Sequence, residues 1–192
     1  MASFFKYNYK ISSDEELMIF ISKGKEEAFN EIYKRYSKKM LFFFYSKLYK
    51  DQERANDFLQ ELFLKIIENP QFFDSSKSFS TWVYAVANNM CKNEYRKKDT
   101  ITSGYDLDII LEKETSDYID KQDTVLFNKE LQNQLDNLED SKRTTFVLRF
   151  QQHLSIKEIS QIMECSEGTV KSRIFYSLKI LSEKLTIFNP KL

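Results

Sequence analysis

Apolar residues recur every three or four positions in block after block, the period of an amphipathic helix. Ser13-Asp14-Glu15-Glu16 opens the first block, with Leu17, Phe20 and Ile21 as its apolar side and Gly24 at its end. A second block starts near Glu26 and carries Ala28, Phe29, Ile32, Tyr33 and Tyr36. It runs on into Met40–Tyr45, apolar nearly all round and so expected inside a bundle. From Asp51 to Glu68, Phe58, Leu62, Phe63, Ile66 and Ile67 are expected to face inward. Asp57, Gln60, Glu61, Leu64 and Lys65 form the other side. Asn69-Pro70 ends that helix, and a loop over 71–80 carries Phe72, Phe73 and Phe79. A fourth helix spans Thr81–Lys98, with Val83, Val86, Ala87, Met90 and Tyr95 inward. Asn88, Asn89, Lys92 and Arg96 lie on a polar side, and Arg96-Lys97-Lys98 closes the helix.

The pattern then lapses. Residues 99–123 read as a linker with a short helix near Leu107–Leu111. Thr124 is expected to cap a helix with Val125, Leu126, Leu131, Leu135 and Leu138 spaced for a core. Phe146, Val147 and Phe150 follow inward, with Arg143 and Arg149 outside. Leu154–Leu178 reads as two short helices joined by a tight turn. Ser155 and Glu158 have the spacing of a capping box, and Ile156, Ile159, Ile162 and Met163 give the first helix its buried face. Glu164-Cys165 breaks the chain and Ser166 caps the next helix. At roughly 100° per residue, Val170, Ile174, Leu178, Leu181 and Leu185 fall within about 80° of one another. Thr169, Ser172, Tyr176 and Lys179 point the opposite way, with Lys171 and Arg173 on the flanks.

The expected architecture is all-α, with tails at 1–12 and 187–192. A helical bundle over 13–98 is joined by the linker to a four-helix domain over 124–186. Three glycines and two prolines in 192 residues leave few hairpin turns, which agrees. Formal charge is zero, but its distribution is uneven. Residues 1–98 hold 17 Lys/Arg against 13 Asp/Glu, residues 99–140 hold 3 against 12, and residues 141–192 hold 9 against 4. Two basic ends therefore flank an acidic middle.

Cys91 and Cys165 sit in apolar helical patterns and form no CxxC or Cys/His cluster, so they read as reduced, buried thiols. His153 is the single histidine and falls in a loop. No metal spacing, Gly-rich phosphate loop or nucleophile–base pairing occurs, so neither an enzyme nor a cofactor is expected. No apolar run has the ~20 residues of a membrane span. The N-terminus lacks a signal peptide's apolar core, and a cytoplasmic protein is expected.

The helix after Ser166 presents small hydroxyls and an aromatic between cations, a pattern suited to a DNA major groove with phosphates along both rims. In that picture Thr169, Ser172 and Tyr176 meet base edges, and Lys171 and Arg173 meet phosphates. The aromatic loop with the amides and cations after it suits exposed bases or a nucleic-acid backbone. The loop phenylalanines fit hydrophobic anchors as well. The Asp57–Lys65 face fits both a solvated surface and a protein-binding one.

These blocks together resemble the RNA polymerase sigma factors of the two-domain extracytoplasmic-function type. The resemblance rests on Glu27-Ala28-Phe29 with Tyr33 and Tyr36, on Asp57–Lys65, and on Phe79–Trp82 with Ala87-Asn88-Asn89 and Arg96-Lys97. In the C-terminal part it rests on Arg149-Phe150, Leu154-Ser155, Glu158-Ile159 and Ser166–Arg173. It implies a non-catalytic promoter-specificity subunit with core RNA polymerase, through its beta-prime and beta subunits, and promoter DNA as partners. A membrane-linked anti-sigma factor often accompanies such proteins. Asp57, Gln60, Glu61 and Lys65 would bind the beta-prime coiled coil. Phe79, Trp82, Asn88, Asn89, Lys92, Arg96 and Lys97 would melt and hold the minus-ten element. Gly168, Thr169, Lys171, Ser172, Arg173 and Tyr176 would read the minus-thirty-five element. The acidic linker would thread toward the polymerase active site and RNA exit channel. Glu164, Glu139 and Asn93 depart from the family's usual Gly, Pro and Asp. The competing reading is a stand-alone helix-turn-helix regulator with a sensing or dimerising bundle.

Overall fold

The computed structural model describes the backbone of residues 7–99 and 121–185, and the side chains of 7–96 and 126–185. Residues 100–120 with the expected short helix, the outermost tails and the Lys97 side chain lie outside these. All regular structure among the described residues is helical. The chain divides into two compact units, one within 1–102 and one within 103–192.

The N-terminal unit is built from α1 (Asp14–Ile21), α2 (Glu26–Lys47), α3 (Gln52–Glu68) and α4 (Phe79–Asp99), with α2 packed against the other three. Its core is large and aromatic, including Phe43, Phe44, Leu62, Ile66, Phe79 and Tyr84. Met40–Tyr45 is buried as expected except for half-buried Leu41 and exposed Phe42, and Ile67 faces outward. Ala55 and Leu59 complete the inner line of α3 in its place. Ser13 and Glu16 form a reciprocal capping box at the start of α1. Glu15, beside them, accepts the Phe79 N–H at 2.9 Å, so α1 helps to start α4. Helix α4 begins at Phe79, earlier than its expected start at Thr81. Ser78 supplies the cap, its carbonyl accepting the Trp82 N–H and its hydroxyl the Thr81 N–H.

One arginine fastens the N-terminal stretch. Arg35 donates to the carbonyls of Tyr9, Lys10 and Ser12 and pairs with Asp14 at 2.7 Å and Glu31 at 2.9 Å. Tyr36 donates its hydroxyl to Asp14. Burial, with the Asp14 carboxylate beside it, pushes the Tyr36 phenol far above its ordinary range.

The C-terminal unit comprises α5 (Lys121–Asp136), α6 (Asp140–Phe146), α7 (Ile156–Met163) and α8 (Glu167–Lys184), with a π-helical turn over Val147–Gln151. Helix α5 starts before Thr124, which therefore lies inside it. Leu135, Leu138, Phe146 and Leu181 form a small core, with Leu131, Ile180 and Leu185 against it.

Two expectations fail here for one reason. Arg143, expected outside, is 2% exposed, and Leu178, expected inside, is 45% exposed. Helices α6 and α8 meet at Ser177, whose hydroxyl lies 2.7 Å from the Arg173 carbonyl and 3.4 Å from the Lys142 carbonyl. A serine lets the two backbones approach. That turns α8 so that Ser177 takes the inner line and Leu178 the rim. Arg143 is enclosed on the same side and pairs with Asp140 at 3.2 Å. Thr144 and Thr145 bury their hydroxyls against the carbonyls of Asp140 and Ser141. Phe150, expected inward, is exposed, its ring set against Phe146.

Candidate nucleic-acid interface

Helices α7 and α8 form the expected capped pair. Ser155 and Glu158 satisfy each other's backbone N–H groups. Glu164 then takes the left-handed conformation at φ 53°, ψ 46°, and Cys165 donates its N–H back to the Ser160 carbonyl at 3.0 Å. A glutamate adopts this geometry at a cost of about 1 kcal/mol relative to glycine. Ser166 caps α8 by accepting the Thr169 N–H at 3.1 Å.

Of the residues expected to read duplex DNA, Gly168, Lys171, Ser172 and Tyr176 are exposed on one side of α8. A Cβ on Gly168 would come no closer than 3.7 Å to the Ser166 hydroxyl, so the helix itself has room for a side chain there. Thr169 is half-buried, its hydroxyl 2.9 Å from that of Ser166, and so it is partly committed to the cap. Arg173 leans back over the turn: it is half-buried, with Nη1 3.4 Å from Cys165 Sγ. It also contributes to holding the Glu139 carboxyl below its usual range, behind the larger effects of Ser141 and Lys142. Phe175, absent from the expected set, is 63% exposed and stands edge-on to Tyr176 at 5.4 Å. The signal for it was its wheel position, within about 60° of Gly168, Ser172 and Lys179.

On the N-terminal unit, α3 and α4 each show a polar outer face. Asp57, Gln60, Glu61 and Lys65 are exposed along α3, with Leu64 among them and an ion pair between Lys65 and Glu61. On α4, Asn89 and Arg96 are exposed and Lys92 half-buried, in line with half-buried Trp82. Two expected contacts are corrected. Phe79 is fully buried, stacked among Tyr36, Phe73 and Trp82, and Asn88 is 1% exposed. Phe79 and Asn88 lie on the inner side of α4, where they support the outer face from behind.

The loop between α3 and α4 divides its phenylalanines. Phe73 folds inward against Phe79 and Trp82, whereas Phe72 projects with 71% of its surface exposed. Asp74 orders the loop by accepting the Ser76 hydroxyl and N–H, bonds that hold its carboxyl below the usual range. Both cysteines are free, Cys91 buried and Cys165 half-buried, and His153 is exposed. Among the described residues no group of three His, Cys, Asp or Glu side chains is placed to hold a metal. None of their helices is long and apolar enough to cross a membrane.

The family profile "Sigma-70 region 2" matches residues 32–101 and "Sigma-70, region 4" matches residues 128–181. The ECF RNA polymerase sigma factor SigW of Bacillus subtilis is 30% identical over 174 residues, covering 86% of this chain and 92% of the relative. The ECF RNA polymerase sigma-E factor of Escherichia coli K12 is 28% identical, covering 90% of this chain and 94% of its own. Among solved structures, CnrH in complex with the cytosolic domain of CnrY has TM-score 0.68 at 18% identity, covering 92% of this chain and 99% of that one. RpoE in complex with the anti-sigma factor NepR from Bartonella quintana has TM-score 0.69 at 18% identity, covering 83% and 97%. These two support the fold.

A stand-alone regulator leaves the region 2 match unexplained, whereas both matches fall in order on the two units. The protein belongs to the extracytoplasmic-function family of RNA polymerase sigma factors, non-catalytic subunits that join core polymerase and direct it to promoters.

Proposed function

We propose that the three outer faces divide the work of initiation. The Asp57/Gln60/Glu61/Lys65 face of α3 docks on core polymerase, its charged rim surrounding exposed Leu64. The outer face of α4, with Trp82, Asn89, Lys92 and Arg96, holds the opened minus-ten strand, and Lys97 extends the basic end. Helix α8 enters the major groove of the minus-thirty-five element with Lys171, Ser172 and Tyr176 leading. Thr169 and Arg173 serve chiefly to set the turn beneath them. The functional domains are residues 13–98 and 124–186, joined by the acidic linker over 99–123, and the protein works in the cytoplasm. An anti-sigma factor is a natural partner, since the similar solved protein RpoE was captured with the anti-sigma factor NepR.

The observation that carries this reading is the capped α7–α8 pair with a cationic, hydroxyl-bearing side free of the core. The test is co-purification with core polymerase. Reversing charge at Asp57→Lys with Glu61→Lys is expected to reduce retention more than tenfold while helicity stays intact, because both side chains are exposed. Undiminished retention would remove α3 from the interface.

A further inference from the structure

The start of α4 is held from another helix. The first backbone N–H groups of a helix have no partners inside it. Ser78 takes that of Thr81 on its hydroxyl at 3.3 Å. The N–H of Phe79, at the first position, goes instead to a carboxylate oxygen of Glu15 on α1, at 2.9 Å. The residue before Glu15 reaches the same phenylalanine from its other end. Asp14 accepts the Tyr36 hydroxyl, and the Tyr36 ring stands edge-on to the Phe79 ring at 5.1 Å. Adjacent carboxylates of α1 thus hold Phe79 by its amide directly and by its ring through Tyr36. Phe79 is fully buried, and Trp82 leans on it at 5.7 Å and on Phe73 of the preceding loop at 5.3 Å.

We propose that Glu15 is a positioning residue for promoter opening: it fixes the start of α4 and with it the placing of Trp82 against the opened strand. The proposal rests on the reading of the α4 outer face given above. A carboxylate suits the positive N-terminal end of a helix, and it accepts an amide N–H about twice as strongly as a neutral group does. Trp82 is the fourth residue of α4, so it lies within the turn that Glu15 closes. Asn89, Lys92 and Arg96 follow two to four turns later and are held by the rest of the helix. Loss of Glu15 therefore disturbs the aromatic end of the face and spares its cationic end. Opening, which needs the strand held, is separated from closed binding, which needs charge.

The experiment uses the full chain assembled with core polymerase, on a duplex that the wild-type holoenzyme enriches from a random-sequence pool. Fluorescence of 2-aminopurine in the minus-ten segment reports opening, and retention of the same duplex at low temperature reports closed binding. Glu15→Ala is expected to lower the opening equilibrium about tenfold, the factor set by one hydrogen bond to a charged group, with closed binding unchanged. Glu15→Gln keeps an acceptor without the charge and is expected to restore opening to within about threefold of wild type. Glu16→Ala removes an acceptor from the Ser13 N–H in the cap of α1, and is expected to open the duplex as wild type does. The proposal is overturned if Glu15→Ala opens as wild type does, if it loses closed binding as much as opening, or if Glu16→Ala shows the same loss. Should Glu15→Ala fail to assemble with polymerase, Glu15→Gln decides alone, and opening equal to wild type is then the overturning result. If Lys92→Ala with Arg96→Ala leaves both opening and closed binding unchanged, the reading of the α4 face falls and takes this proposal with it.

Discussion

The two units solve the problem of holding a binding face by different means. In the N-terminal unit long helices enclose aromatic rings, with Phe43 packed against Phe44 and Tyr84 and fully buried. The C-terminal unit has a mainly aliphatic core, with Leu148, Ile159, Ile162 and Val170 buried and Phe146 as its one buried ring among the described residues. Arg143, Thr144, Thr145 and Ser177 are buried beside it. Burial of large rings supplies stability to the first in bulk. The second depends more on one close helix crossing at Ser177 and on buried side-chain hydroxyls. A volume change is therefore felt in the first as a cavity among rings and in the second as a disturbed crossing.

Three substitutions bear on that contrast. The chain has a single tryptophan, Trp82, in the N-terminal unit, so its fluorescence follows that unit while circular dichroism follows both. Phe43→Ala carries the largest expected effect, a loss of about 3–5 kcal/mol from the cavity left behind. It should lower the urea midpoint seen by Trp82 fluorescence. If the midpoint is unmoved, the aromatic core is not what holds that unit. Ser177→Leu should cost roughly 2–3 kcal/mol by overpacking the α6–α8 crossing. The loss should appear in circular dichroism with the Trp82 transition unchanged, and coupled shifts in both signals would show that the units do not unfold separately. The smallest effect is a gain. Glu164→Gly should stabilise the C-terminal unit by about 0.5–1 kcal/mol, because glycine adopts the left-handed turn without the Cβ penalty. Destabilisation by this change would mean the Glu164 side chain contributes more than its backbone costs.

Much of this was readable from the chain. The capping residues Ser155 and Ser166 act through short-range geometry, so their spacing predicts them directly. The turn at Glu164-Cys165 followed from the break between two periodic segments, and the family's usual glycine at 164 pointed to its left-handed geometry. Failures came where a polar residue was taken as outward by type. Asn88 and Asn89 are adjacent amides, and the ~100° between them puts one inside and one outside. Ser177 and Arg143 face inward because of a partner helix that a single-helix wheel cannot contain. Phe175 was passed over for the opposite reason, since it is apolar yet faces solvent. The start of α4 was misplaced because four residues, Ser78 to Thr81, include three capable of capping.

Helix α8 also bears on how such proteins diverge. Its inner line, Val170, Ser177 and Leu181, and its outer line, Gly168, Ser172, Phe175 and Lys179, share no residue. Substitution along the outer line leaves the crossing at Ser177 untouched, so a duplicated copy can accumulate changes there without losing its fold. On the proposed reading of α8, promoter preference is evolvable at low structural risk.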